Sequence, residues 1–433
     1  MSEAALPSAG PGLAFRPPLS MLLGWRGLWR NLRRTALTAA GVAFAVFLVV
    51  SAMCIQLGSY ATMQETATAL LVGHAQVQNA AFSGDERVED NLSDAAELMR
   101  RVAAVPGVVA VAPRVEAFAL ASAGERSFGT QVVGVDPHAE SRVVTFEDRV
   151  YAGAGLRSAD DGIIGEALAR NLGVGLGDEV VLLGNASRGG VAAMVLTVRG
   201  LFRTGIAEID RSLLLADIAA VRDAFGLADR VHRLVLRTDD LSRVEATAGR
   251  VRRALPARWP EAADQPATLA VRTWSDVMPD LRQAIEIDRL SGQLFYWIII
   301  LLVAFSVVNT FIMTVFERTR EFGMMLAIGM RPLRIIVMLQ WEAAFMWAIG
   351  TGIGLALAVL LIAWLSQSGI YLGAELERMA SEMYMPTRLY PTFTGEALLT
   401  APLVMFLGTQ IAAVLPSLRL HRLRPVDALR VAA

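Results

Sequence analysis

Lysine is missing altogether: the 40 Lys+Arg residues of this 433-residue chain are all arginine. A phosphate-gripping loop of the form GxxxxGK[ST] uses its lysine as a point charge on the phosphates, so this sequence excludes a P-loop of its own. Cysteine is almost missing too. The single Cys54 lies inside an apolar run, which excludes an intramolecular disulfide. Histidines are few and scattered singly, at His74, His138, His232 and His421, and with no second cysteine they indicate no metal site. No Ser/His/Asp, Cys/His or paired-carboxylate arrangement stands out, so the chain is not expected to be an enzyme. The net charge is −1 and no basic face for nucleic acid is present.

Apolar residues, by contrast, are abundant, at 54% of the chain, and the mean hydropathy is +0.47. Both exceed what an ordinary soluble domain shows, so a membrane protein is the expectation. Crossing ~30 Å of hydrocarbon takes about 20 apolar residues in a helix. Four stretches qualify, at 36–57, 294–316, 335–365 and 398–415. The first has basic residues before it, as a secretory signal would. Its 22 residues exceed a signal core, however, and no small-residue cleavage site follows at 56–64. Arginines cluster before the first span (Arg26, Arg30, Arg33, Arg34), between the second and third (Arg318, Arg320, Arg331, Arg334) and after the fourth (Arg419, Arg422, Arg424, Arg430). The loop between spans three and four instead carries Glu375, Glu377 and Glu382 against Arg378 and Arg388. The positive-inside rule then puts both termini and segment 317–334 in the cytoplasm.

The expected organisation follows. Residues 1–35 form a cytoplasmic tail in which Met21, Trp25, Leu28, Trp29 and Leu32 recur at helical spacing opposite the arginines. That pattern suits a helix in the membrane interface, touching lipid headgroups, or a plain extension of span one. Residues 58–292 have soluble composition and read as a folded extracytoplasmic α+β domain. Strands are expected at 75–77, 108–111, 131–135, 179–183, 195–198, 231–237 and 269–272, and helices at 95–104, 166–172 and 244–254, with another running to Phe225 from a cap at Asp217. Asp94 and Glu97 look like a capping box. A last helix from Asp276 toward Arg289 would run into span two and make it a lever. Residues 366–397 form a short extracytoplasmic loop and 416–433 a cytoplasmic tail.

After span two the chain reads Val315-Phe316-Glu317-Arg318-Thr319-Arg320-Glu321-Phe322-Gly323-Met324-Met325-Leu326-Ala327-Ile328-Gly329. It is a short charged helix with an apolar back, which Gly329 can end. This run resembles the coupling segment of the FtsX/MacB/LolC-LolE superfamily of ABC transporter permeases. The closing run from Pro416 through Arg419, Arg422 and Arg424 to Pro425-Val426-Asp427-Ala428-Leu429-Arg430 resembles that family's end, with Asp427 for the usual Glu. The opening from Trp25 to Thr35 and the stretch from Ile163 to Val180 are similar to two further family patterns.

The resemblance implies a permease with four transmembrane helices and a large extracytoplasmic α+β domain of porter and sabre parts, the inserted part covering roughly 113–230. It implies mechanotransmission: a separate ATPase subunit binds ATP and Mg, so no cofactor belongs to this chain. A second permease subunit, identical or homologous, completes a dimer in the bacterial inner membrane. Only about 35 residues precede span one, unlike the MacB type with its N-terminal ATPase, and the outer domain is larger than in FtsX. The lipoprotein-releasing LolC/LolE type fits best, with a lipoprotein or other amphiphilic cargo and a periplasmic chaperone as implied partners. A MacB-like efflux permease and an FtsX-like regulator of a cell-wall hydrolase are the alternatives.

For the site, the resemblance assigns Glu317, Arg318, Arg320, Glu321, Phe322, Gly323, Met324, Met325, Ala327 and Gly329 to ATPase coupling. On pattern alone Glu317 and Glu321 would be a solvated helix face. Glu342, about seven residues into span three, is an intramembrane polar candidate for pairing, a proton path or substrate contact. Its place near the end of the span favours snorkelling to the interface or pairing with an arginine such as Arg334. Gly173, Gly175 and Gly177 follow a helix and lack phosphate-loop spacing, so they read as a turn. Met379, Met383 and Met385 suit an apolar loop on the membrane surface better than a soft-metal site.

Overall fold

The computed structural model describes residues 18–82, 87–187, 189–259, 267–371 and 388–418. Expectations for the first 17 residues, for Glu375, Glu377, Arg378, Glu382 and the three methionines near them, and for the closing run beyond Leu418 lie outside the described residues. The chain divides into two compact units, one of Met1–Gly58, Asp288–Gly369 and Tyr390–Ala433, the other of Ser59–Ile287 and Ile370–Leu389.

The helical unit is built on long apolar helices. Among the described residues four are long and apolar enough to cross a membrane: α2 (Leu32–Ala67, continued by a π-turn to Val72), α10 (Pro279–Glu317), α12 (Pro332–Ser368) and α13 (Gly395–Ser417). At 1.5 Å per residue, the 39 residues of α10 make a rod of about 58 Å, well beyond the ~30 Å of a hydrocarbon layer. Leu301, Leu302, Phe305 and Leu360 stand exposed on α10 and α12, as side chains do whose solvent is lipid. Inside, Val42, Val46, Phe311, Phe322, Ile335, Leu339 and Met405 share one apolar core. Gly350 and Gly354 of α12 lie against Ala39, Val42, Ala43 and Val46 of α2 so closely that a Cβ on either glycine would overlap them. Such small-residue contacts replace the hydrophobic drive that is absent between helices in lipid.

The short helix α1 (Leu19–Arg30) ends at Asn31 (φ −125°, ψ 66°), so it is a separate element from α2. The other short helix, α11 (Thr319–Ala327), follows a break at Arg318 (φ −101°, ψ 11°).

The second unit is α+β. Its strands are β1 (Ala75–Asn79), β2 (Val108–Ala123), β3 (Arg126–Val135), β4 (Val150–Gly153), β5 (Asp161–Gly165), β6 (Glu179–Asn185), β7 (Val191–Phe202), β8 (Leu213–Asp217), β9 (Arg233–Thr238), β10 (Arg258–Trp259) and β11 (Ala267–Thr273). Helices α3 (Ala95–Ala103), α4 (Pro137–Val143), α5 (Glu166–Leu172), α6 (Ala207–Ser212), α7 (Ile218–Ala224), α8 (Val244–Ala254) and α9 (Trp274–Val277) fill the connections. The order β10-β11-β1-β9-β2-β3-β8-β5-β7-β4, with β6 pairing both β2 and β7, closes β2, β3, β8, β5, β7 and β6 into a ring. Closure leaves the ring strands without a free edge. Ala117, Val132, Ile164, Leu182, Leu196 and Leu214 belong to the buried core of this unit. Strand β2 serves both parts: Val108 to Arg114 pairs with β9 and Arg114 to Ala123 with β3. The expected start of the inserted part at Pro113 therefore falls within a continuous strand. A further pair, β12 (Ile370–Tyr371) with β13 (Arg388–Leu389), is antiparallel.

Two local expectations are corrected. Asp94 does not cap α3: it is left-handed (φ 52°) and its side chain makes no capping bond, while Glu97 turns to Arg100 and Arg101. The last helix of the domain runs into span two as expected, but it does so as α10 from Pro279 and not continuously from Asp276. Thr273 and Asp276 form a capping box for the four-residue α9, and α10 starts anew at Pro279. Proline lacks an N–H and drives the residue before it out of the helical region, as Met278 shows (φ −120°, ψ 68°).

Candidate coupling site

The segment from Glu317 to Pro332 folds as its sequence dictates. Gly329 adopts φ 95°, which favours glycine over any side chain. Its N–H donates to Leu326 O at 3.0 Å and the Met330 N–H to Met325 O at 2.9 Å, the paired bonds of a Schellman stop. Arg331 is then extended and Pro332 opens α12, where its missing N–H costs nothing. Between Arg318 and this stop, α11 turns Phe322 and Gly323 inward, with Met325 and Leu326 half-buried behind them. Phe322 is fully buried and its ring lies 5.1 Å beneath the Arg318 guanidinium. The outward face is Arg320, Met324, Ala327, Ile328 and Gly329. Ile328 is 88% exposed and Met324 45%.

The carboxylates of this segment meet arginines of the same chain. Glu321 takes a two-point contact from Arg30, whose Nη1 donates to Oε2 at 2.7 Å and whose Nη2 donates to Oε1. Arg318 Nε donates to Glu321 Oε2 at 3.3 Å. Glu317 Oε2 accepts from Arg34 Nη1 at 2.8 Å and from Asn31 Nδ2 at 3.4 Å. Arg34 Nη2 donates to Thr314 Oγ1 at 2.7 Å, and the Thr38 and Thr310 hydroxyls meet at 3.0 Å. The hydrogen bond from Arg30, followed by one from Arg318, holds the Glu321 carboxyl below the usual carboxylate range.

Glu342 completes the arrangement. Its side chain is 9% exposed and its Oε2 accepts from Arg318 Nη1 at 3.1 Å. The partner is Arg318 and not Arg334: eight residues along one helix are about 12 Å, whereas the break before α11 delivers Arg318 directly. A cavity of ≈ 100 Å³ lies among Gly27, Arg34, Thr314, Glu317, Arg318 and Glu342.

Of the ten expected coupling residues, then, Glu317, Arg318 and Glu321 are engaged within the chain, and Phe322 and Gly323 face the core. Arg320, Met324, Ala327 and Gly329 face outward, and Met325 is half-buried. Helix α1 also differs from expectation. Trp25 and Trp29 are exposed on it, but Arg30 and Arg34 turn to Glu321 and Glu317, Arg30 while staying exposed beside Arg26 and Arg33. Sequence reasoning missed Arg30 and Arg34. Their spacing was the signal, since two arginines four apart match two glutamates four apart in reverse order.

In the α+β unit His232 is a core residue. Its Nδ1 accepts the Glu116 N–H at 2.9 Å and the ring stacks on Phe82 at 4.8 Å. Among the described residues no three His, Cys, Asp or Glu side chains group to hold a metal ion.

Residues 35–254 match the MacB-like periplasmic core domain and residues 294–425 the FtsX-like permease C-terminal family. The "Lipoprotein-releasing system transmembrane protein LolC" of Neisseria meningitidis serogroup B is 27% identical over 92% of this chain and 94% of its own length. LolC of Xylella fastidiosa is 24% identical over 75% of this chain and 78% of its own. The "Macrolide export ATP-binding/permease protein MacB" of Nitrobacter winogradskyi is 26% identical over 92% of this chain, which spans 58% of that protein.

Proposed function

Since the chain belongs to the FtsX/MacB/LolC-LolE superfamily of ABC transporter permeases, we propose that it passes ATP-driven motion from a separate ATPase subunit to its α+β domain and so extracts lipoproteins or another amphiphilic cargo. In this reading α11 seats the ATPase, which binds ATP and Mg itself. The termini and α11 are cytoplasmic, the α+β domain lies across the inner membrane, and a second permease subunit, identical or homologous, completes the dimer. The observation that carries the coupling role is the outward face of α11. A protruding Ile328 beside Met324, with Arg320 next to them, is an apolar knob with a cationic flank, suited to a socket with an acidic rim. The absence of lysine from the sequence agrees with ATP being held elsewhere. Likeness to LolC over 94% of that protein's length supports release of lipoproteins. Likeness to MacB at nearly the same identity keeps export of another amphiphile as the second reading.

The test uses the permease co-expressed with its ATPase. Ile328→Asp should abolish co-purification of the ATPase while the permease still inserts, and the purified permease alone should hydrolyse no ATP. An Ile328→Asp protein that retains its ATPase in full removes α11 as the seat. For cargo, proteoliposomes holding the complex and a lipidated protein should release that protein to a soluble acceptor only with ATP; release without ATP, or none with it, refutes extraction.

A further inference from the structure

We infer that helix α1 is part of the transmission element: Arg30 is a positioning residue that holds α11 through Glu321, and Arg34 of α2 braces Glu317 at the end of α10 beside it, so that α1, α11 and the start of α12 answer the ATPase as one body. This rests on α11 being the ATPase seat.

Four observations lead there. First, the pairing is matched. Arg30 and Arg34 sit one turn apart where α1 meets α2, Glu317 and Glu321 one turn apart across the break between α10 and α11, and each arginine meets its own carboxylate. Second, the pairs extend into a chain of alternating charge, Arg30 to Glu321 to Arg318 to Glu342, which ends on a buried side chain of α12. With Arg34 and Glu317 the cluster holds three guanidiniums and three carboxylates in balance, so removing any one unbalances the charge of the group. Third, α1 is seated on α12 at glycines. A Cβ on Gly24 would lie 3.0 Å from both Met338 O and Trp341 Cβ, and one on Gly27 would lie 3.0 Å from Glu342 Oε2. Any larger residue at position 27 would press on the carboxylate that ends the chain. Fourth, α11 has little else to fix it. Nine residues are too few for an independently stable helix, and Phe322 is its one large side chain that is fully buried.

A push on Ile328 or Met324 therefore reaches α1 through Glu321 and Arg30, and α12 through Arg318 and Glu342. Two-point guanidinium contacts suit that task because they fix orientation as well as distance. The two glutamates act through the arginines they hold, and the outward face stays free for the ATPase.

The experiment is a charge swap in the full permease–ATPase complex in lipid nanodiscs, comparing wild type, Arg30→Glu, Glu321→Arg and the double variant. Two quantities are read: the amount of ATPase that co-purifies and the ATP turnover per ATPase. Each single variant should keep its ATPase to within about twofold yet change turnover by at least about fivefold, and the double variant should return turnover to within about twofold of wild type, as coupled neighbours do in a double-mutant cycle. Arg30→Lys keeps the charge without the fork and should fall between. Unchanged turnover in the single variants overturns the inference, as does a loss that the double variant does not restore. ATPase lost from the single variants also overturns it, because the pair would then be part of the seat. The seat itself is judged by Ile328→Asp alone, so failure of that reading and failure of the clamp give different results.

Discussion

Adding one methyl group to Gly354 tests how the helical unit is held together. An ideal Cβ there would overlap the Ala43 carbonyl oxygen and lie 3.0 Å from Val46 Cβ; at Gly350 it would lie 2.7 Å from Ala39 O and 2.8 Å from Val42 Cβ. The nearest atom in the way at each glycine is a backbone oxygen of α2, which cannot turn aside as the end of a long side chain can. Helices α2 and α12 must therefore part. Overpacking of this kind costs ~1–3 kcal/mol, while Gly→Ala in a helix interior gains about 1 kcal/mol in propensity. Gly352 separates the two effects. It lies between the two glycines on the same helix, is exposed and has nothing within 4 Å of its added Cβ, so Gly352→Ala receives the propensity gain alone. The difference between Gly354→Ala and Gly352→Ala should thus be the clash itself, about 1–3 kcal/mol in favour of the latter. The assay is the midpoint of heat-induced unfolding in one detergent, followed by tryptophan fluorescence at one scan rate because unfolding of such proteins is commonly irreversible. Gly354→Ala unfolding at or above the Gly352→Ala midpoint would refute the close α2–α12 contact.

Removing Glu342 strands Arg318 Nη1 in a buried position, so Glu342→Leu should cost about 3 kcal/mol, measured by the same heat-induced unfolding. Glu342→Gln keeps an acceptor and should cost less; a Glu342→Leu protein that unfolds at the wild-type midpoint would show that the pair does not matter. Burial pushes the His232 imidazole from 6.5 down to about 4, so between those pH values the unfolded chain binds a proton that the folded one does not. Its contribution of about 3 kcal/mol is present above pH 6.5 and lost as pH falls toward 4. Amide exchange in β1 and β9 should speed up over that window, and His232→Gln should flatten the dependence. With Cys54 replaced by Ala, a cysteine at Val191 should label in intact spheroplasts and one at Arg320 should not; the opposite pattern reverses the proposed orientation.

What could be read from the sequence is what local pattern determines. The apolar runs within α2, α10, α12 and α13 are long enough to show against any background. Helices α5 and α8 start and stop where periodicity and flanking residues put them. Asp217 caps α7 through bonds to the Ala219 and Ala220 N–H groups. Gly329 ends α11 as a glycine past a helix should. What could not be read depends on partners distant in the chain. The 16 residues of β2 look like a short strand at 108–111 because Pro113, Arg114 and Glu116 interrupt the apolar run. Arg114 is buried against Glu140 and Arg233 against Glu116, and such a pair is visible only once both are placed. The same holds at the candidate site. An exposed Glu-Arg-x-Arg-Glu run looks solvated, and only the return of Arg30 and Arg34, some 280 residues away in the chain, gives it a place.

The two ways in which this unit holds its helices suit different tasks. Small-residue contact between α2 and α12 is short-ranged and unforgiving, because separation forfeits dispersion along the whole seam and nothing else compensates. That suits helices that must stay together while the chain works. The arginine–glutamate cluster around α11 is different in kind. A desolvated ion pair adds little net stability compared with apolar packing, yet it penalises every arrangement that leaves one member alone. It therefore selects among discrete positions and yields stability for register. An element that must be moved by a partner, then return, needs that property more than it needs tight packing. Arg30 is 58% exposed and Glu321 27%, so water can assist their parting and re-forming, whereas the Arg318–Glu342 end, 13% and 9% exposed, anchors the chain to α12. The gradient from wet to dry along four side chains places the yielding contact beside the surface proposed to meet the ATPase and the firm one against the helix that enters the membrane.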